Sequence, residues 1–137
     1  MGVDLVIYCK KKDLKKLLNV GEGFVTWFKF DFLINNFCGI RWYRFKEMFN
    51  LETNDPITSK DLITHIAVHG CNFKNRREFV SILMEYDLLF APDTASVEGD
   101  WIDLFYFWHF IKAFVTKNFD QIFEEFQKEA DMLCDGA

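Results

Sequence analysis

The stretch that most limits what this chain can fold into is residues 101–115, WIDLFYFWHFIKAFV. Within it only Asp103, His109 and Lys112 carry charge or a titrating ring, and Tyr106 adds a hydroxyl. A helix that is apolar on nearly every side belongs in the middle of a domain, where other elements cover it. A membrane span needs roughly 20 apolar residues without charges, and this run is shorter and interrupted. The sequence therefore predicts a buried central helix opening at Asp100 and Asp103, and no membrane partner.

The rest of the chain is long enough to surround such a helix. At 137 residues it reads as a single domain over 1–137. Half of its residues are hydrophobic and 17 are Phe, which excludes disorder for most of the length. That aromatic load leaves rings over for the surface, where they anchor protein–protein contacts.

Secondary structure follows from periodicity. Residues 3–9, VDLVIYC, are short, β-branched and apolar, as a buried strand is. Residues 12–19 place Leu14, Leu17 and Leu18 on one helical face. Residues 24–34 suit an apolar helix, yet Phe28, Phe30 and Phe32 alternate with Lys29 and Asp31, the period of a strand. Asn35-Asn36 then suits a two-residue turn. The expectation is a hairpin over 24–46, with Phe28, Phe30, Phe32, Ile34, Phe37 and Phe45 on one face and Lys29, Asp31, Trp42 and Arg44 on the other. A sheet covered by helices on one side needs those two faces.

Caps mark the remaining helices. Thr58 with Asp61 opens one that Gly70 closes, and Asn75 with Glu78 opens a second whose face is Phe79, Val80, Ile82, Leu83 and Tyr86. Residues 91–99 form a polar loop, and either Asn118 with Gln121 opens a last helix or one long helix runs over 101–133. The predicted class is α+β, a small N-terminal antiparallel sheet (strand plus hairpin) followed by a helical remainder, with an all-α bundle as the second architecture.

Compartment and charge narrow the function. The start, MGVDLVIYCKKKD, has an apolar run too short for a signal peptide and lacks the downstream Ser or Thr of a myristoylation signal. Cys9, Cys38, Cys71 and Cys134 are scattered without a C-x-x-C pair, so reduced thiols in a cytoplasmic protein are expected. Residues 1–80 hold 13 Lys/Arg against 9 Asp/Glu, and residues 81–137 hold 3 against 12, giving the net −5. If the two parts separate in space, the molecule is bipolar and inclined to head-to-tail self-association; if they interleave, the asymmetry cancels.

Four groups of residues are candidate sites. Trp42, Tyr43 and the 91–99 loop are candidate protein contacts, and Glu124, Glu125 and Glu129 offer charge to a partner with a basic surface. His65 and His69, four residues apart, stand on one helix face with Asp61 before them and Cys71 after, a spacing at which two imidazoles can share a divalent ion. Yet Asp61 lies about 12 Å from His69 along the axis, and no Glu sits beside His65 as a metalloprotease base would. Arg41, Arg44, Lys74, Arg76 and Arg77, with Trp42 and Tyr43 interleaved, match how single-stranded nucleic acid is gripped, against a net charge of the wrong sign. Asp103, Tyr106, His109 and Lys112 form a slanting stripe rather than a cluster. No catalytic motif and no cofactor fingerprint is present in the sequence.

The first expectation is thus a non-catalytic protein that binds another protein, as inhibitor, neutralising partner or adaptor. The alternatives are a metal-assisted or acid–base enzyme using His65 and His69, with His109 as a further base, and a nucleic-acid binder.

Overall fold

A computed structural model describes residues 3–17 and 23–113, together with Glu124 and Lys128. Among these, β1 (Leu5–Lys10) leads into α1 (Lys11–Leu17), α2 (Gly23–Phe37) and α3 (Trp42–Phe49). Then follow β2 (Ile57–Thr58), α4 (Ser59–His69), α5 (Arg76–Glu85), β3 (Leu88–Pro92), β4 (Trp101–Asp103) and α6 (Leu104–Ala113). The four strands form one antiparallel sheet in the order β2-β3-β1-β4. The α+β class therefore holds.

One face of the sheet is buried along β1, β3 and β4, and the other is buried at Leu89 and Ala91 of β3 and more open elsewhere. Residues opposite each other in an antiparallel pair share a face, and β1 pairs Leu5 with Pro92, Ile7 with Phe90 and Cys9 with both Leu88 and Ile102. Those seven side chains are buried and meet the helices. The alternate residues Val6, Tyr8, Lys10, Trp101 and Asp103 are only half-buried. On that outer face Lys10 lies 4.1 Å from the ring centre of its cross-strand neighbour Trp101.

The helical layer is held by phenylalanine. Phe37 of α2, Phe45 and Phe49 of α3, Phe79 of α5 and Phe90 of β3 are all fully buried. Their ring centres lie 4.9 Å (Phe45–Phe49), 5.1 Å (Phe37–Phe79 and Phe49–Phe79) and 5.2 Å (Phe45–Phe90) apart. Such tilted and offset contacts each add about 0.5–1.5 kcal/mol beyond area burial.

The predicted hairpin over 24–46 is replaced by two helices. In α2 the buried residues Phe30, Leu33, Ile34 and Phe37 recur at i, i+3, i+4 and i+7, one helical face. Phe28, which a strand would place beside Phe30, is 65% exposed. The turn expected at Asn35-Asn36 does not form. Their side chains bond within the helix, Asn35 to the Asp31 carboxylate (3.0 Å) and Asn36 to the Phe32 carbonyl (2.8 Å). The chain turns at Gly39 instead, whose φ of 82° suits a residue without a side chain. Residues 40–42 then bond back along β1 (Leu5 N–H to the Ile40 carbonyl, 2.9 Å; Trp42 N–H to the Val3 carbonyl, 2.8 Å), extending the sheet edge where β4 stops.

Two more boundaries differ. Residues 88–92 form β3, with all five residues buried, so the polar loop begins only at Asp93. Residues 101–103 are strand, and the helix starts at Leu104. That helix buries Leu104, Phe107 and Trp108 along one face, while His109 is exposed and Phe105, Tyr106 and Phe110 are half-buried. Among the described residues it packs chiefly against β1, and the phenylalanine cluster lies in the other helices and β3. The predicted last helix at Asn118 lies outside the described residues, apart from helical Glu124 and Lys128.

The capping signals hold at α4, where the Thr58 hydroxyl accepts from the Asp61 N–H (3.3 Å) and Gly70 ends the helix. The corner between α5 and β3 is clamped by two buried polar side chains. Ser59 donates to the Tyr86 carbonyl (2.9 Å) and accepts from the Leu88 N–H (2.8 Å), and Asp13 accepts from the Asp87 N–H (3.0 Å).

Phe45→Ala should lower unfolding stability by about 3–5 kcal/mol, whereas Phe28→Ala should cost less than about 1 kcal/mol. Urea titration of both variants checks this, and equal losses would restore the hairpin.

Candidate protein-interaction site

The structure joins two sequence-nominated parts, Trp42 and the 91–99 loop, into one cleft. Antiparallel pairing sets Pro92 opposite Leu5, and the Asp93 N–H donates to the Asp4 carbonyl (2.9 Å). The N–H of Trp42, first residue of α3, donates to the Val3 carbonyl (2.8 Å). The N-terminal strand thus holds both walls. The cleft is open, of about 550 Å³, and lined by Val3, Trp42, residues 54–56, Pro92 and residues 94–96.

Its floor is preorganised. Trp42 is only 3% exposed, so it backs the cleft from within the core and does not project as an anchor. Its indole N–H donates to Asn54 Oδ1 (3.3 Å), and Lys46 Nζ donates to the same oxygen (2.6 Å). The Asp55 N–H is held by the Thr53 hydroxyl (3.0 Å). Pro56 and Pro92 stiffen the two walls, since proline fixes φ.

The rim is acidic. Asp55 and Asp93 are exposed, and neither carboxylate has an ion pair or hydrogen bond among the described residues. Glu52 is likewise exposed and lines a neighbouring hollow with Tyr43, Lys46, Glu47, Asn50 and Leu51. Tyr43 is 53% exposed, so the aromatic pair divides, with Trp42 forming a floor and Tyr43 an exposed flank.

The other nominated residues lie elsewhere. Glu124 is exposed, and Glu125 and Glu129 are outside the described residues. The His65 and His69 rings do meet, with centres 4.4 Å apart. His65 Nε2 lies 3.0 Å from the Asn50 carbonyl, which engages that nitrogen as a donor. Cys71 is a half-buried free thiol, and among the described residues no three His, Cys, Asp or Glu side chains converge as a metal site requires.

Arg41 pairs with Asp4 (3.4 Å) and Arg44 is exposed on α3, while Lys74, Arg76 and Arg77 lie at the start of α5. The basic groups are therefore carried by different helices. Asp103 accepts from the Tyr106 N–H (3.1 Å) and so caps α6. Burial pushes its carboxyl above the usual range against the pull of the Tyr106 and Phe105 N–H groups. Cys9 is buried, and desolvation, with Asp13 and Asp103 nearby, pushes its thiol well up, which makes it a packing residue rather than a nucleophile.

Residues 54–56 carry no site signal in the sequence. An Asp-Pro step is a turn signal, but nothing local indicates that this turn faces Thr94. No helix among the described residues is long and apolar enough to cross a membrane. No protein-family model, curated protein or solved structure matches this chain.

Because the Asp103 carboxyl sits above its unfolded value of about 4, the folded state holds that proton more tightly. Its contribution to stability therefore falls as pH rises from about 4 through the raised value. Asp103→Asn keeps the cap acceptor and should flatten that fall, whereas Asp103→Ala should cost about 1 kcal/mol at neutral pH. Thermal melts from pH 3 to pH 8 test both.

Proposed function

We propose that this chain is a non-catalytic binding module that recognises another protein, acting as an inhibitor, neutralising partner or adaptor. One observation carries the reading: the cleft backed by the buried Trp42, with two proline-stiffened walls, the unpaired carboxylate of Asp55 on its lining and that of Asp93 exposed beside it. A preorganised surface binds with little ordering cost. An acidic rim speeds encounter with a basic partner and fixes its orientation. The occupant that fits is an exposed loop or extended segment of a partner protein, with Lys or Arg flanking an apolar residue that enters the cleft between its two walls. Tyr43, on the next hollow, supplies an aromatic contact. The free thiols of Cys9, Cys38 and Cys71 suit a reducing compartment such as the cytoplasm.

The test begins with capture of a partner from the source lysate and measurement of its affinity for the purified chain. Thr94→Arg with Ser96→Arg fills the cleft from exposed loop positions. Asp55→Lys with Asp93→Lys inverts the rim. Each pair should weaken the captured partner at least about tenfold while the melting temperature stays within about 2 °C, since surface changes shift stability little. Unchanged affinity in both variants would refute the proposal.

A further inference from the structure

A second surface lies on the outer side of α5, away from the cleft. Phe79, Ile82 and Leu83 turn into the core, and the opposite side carries Arg77, Val80, Ser81 and Met84 at i, i+3, i+4 and i+7. These span about 10 Å of the helix and, with Lys74 and Arg76, line a shallow hollow of about 790 Å³. Met84 is 74% exposed.

Among the described residues, four basic side chains elsewhere are engaged in ion pairs, whereas Lys15, Arg44 and Lys60 stand singly on other elements. Lys10 pairs with Asp100, Lys12 with Asp87, Lys29 with Glu85 and Arg41 with Asp4. Lys74, Arg76 and Arg77 have no ion pair or hydrogen bond among the described residues. Glu78 is exposed in the same turn but binds none of them, so the face keeps a positive surplus beside an adaptable thioether.

The chain itself carries the complement. Residues 114–137 hold 2 lysines against 6 Asp/Glu, and within them Phe119, Ile122, Phe123 and Phe126 recur at steps of three and four among Asp120, Glu124 and Glu125. Glu124 is exposed, so its charge faces solvent as the three cations do.

We infer that the outer face of α5 docks the acidic, phenylalanine-bearing segment 119–129 of a second copy of this chain. Arg76 and Arg77 meet Glu124 and Glu125, and Met84 and Val80 receive a phenylalanine. The two patches differ, so the contact closes into a two-fold dimer where each copy gives its segment to the other, and otherwise builds a ring or an open chain. A contact this small is weak and sensitive to salt.

Sedimentation velocity on the full chain tests the inference, from about 10 to about 300 μM, the range of weak interfaces, in low and high salt. The wild type should gain mass with concentration at low salt and lose the gain at high salt. Arg76→Glu with Arg77→Glu should be monomeric, as should Glu124→Arg with Glu125→Arg, each with an unchanged circular dichroism spectrum. Mixing the two charge-reversed proteins should restore association, since each then presents the complement of the other. A wild type monomeric throughout, or variants that associate as the wild type does, would overturn the inference. So would a mixture that stays monomeric. Gel shift of a single-stranded oligonucleotide by the wild type, lost in the Arg76/Arg77 variant while self-association persists, would assign the face to nucleic acid instead.

Discussion

Everything in this domain leans on the contacts among Phe37, Phe45, Phe49, Phe79 and Phe90, five fully buried rings from three helices and one strand. No one element can bury its phenylalanine alone. Phe90 reaches the cluster because β3 pairs with β1, which sets Phe90 on the same face as Ile7. Phe45 reaches it because the backbone of Trp42 is bonded to Val3 at the start of α3. The constraint that packs the rings also holds the indole of Trp42 against Phe45, stacked at 5.6 Å, and so fixes the floor of the cleft. Site and core share one scaffold.

The sequence was legible where the signal was local. The strand at residues 3–9, the Thr58 cap and the Gly70 stop were all read from neighbouring residues. The 24–46 segment was not, because FKFDF satisfies a two-residue alternation as well as a helical face. Burial chose the helix: Phe30, Leu33, Ile34 and Phe37 are enclosed together, at the expense of leaving Phe28 outside. β3 escaped notice for the opposite reason. Residues 88–92 are apolar without alternation, as a strand covered on both faces is, and they follow directly on a helix with an apolar face. The candidate site was half legible. Trp42 and the 91–99 loop stood out by composition, but that they meet depends on pairing between residues some 85 positions apart, and residues 54–56 gave no sign of facing them.

The charge asymmetry of the sequence resolves in the same non-local way. β3, from the acidic part, lies between β1 and β2 from the basic part, and Lys10–Asp100, Lys12–Asp87 and Lys29–Glu85 each join one part to the other. Exposed pairs of this kind contribute little to stability, but they neutralise the body of the domain. Residues 1–113 hold 14 Lys/Arg against 15 Asp/Glu. What remains unbalanced is local: the acidic rim of the cleft, the cationic face of α5, and residues 114–137. A nearly neutral body with charged patches directs partners to particular surfaces rather than attracting them everywhere.

The most direct test of the binding cleft is the indole N–H of Trp42, followed by heteronuclear NMR as the captured partner is added to labelled protein. That N–H bonds Asn54 at the floor of the cleft, so an occupant that enters the cleft shifts its resonance together with the amides of residues 53–55 and 93–96. Shifts confined to those positions and to Tyr43 are the result this account predicts. A partner that binds while leaving the Trp42 indole and both loops unmoved, with shifts centred on His65 and His69 or elsewhere, would contradict it.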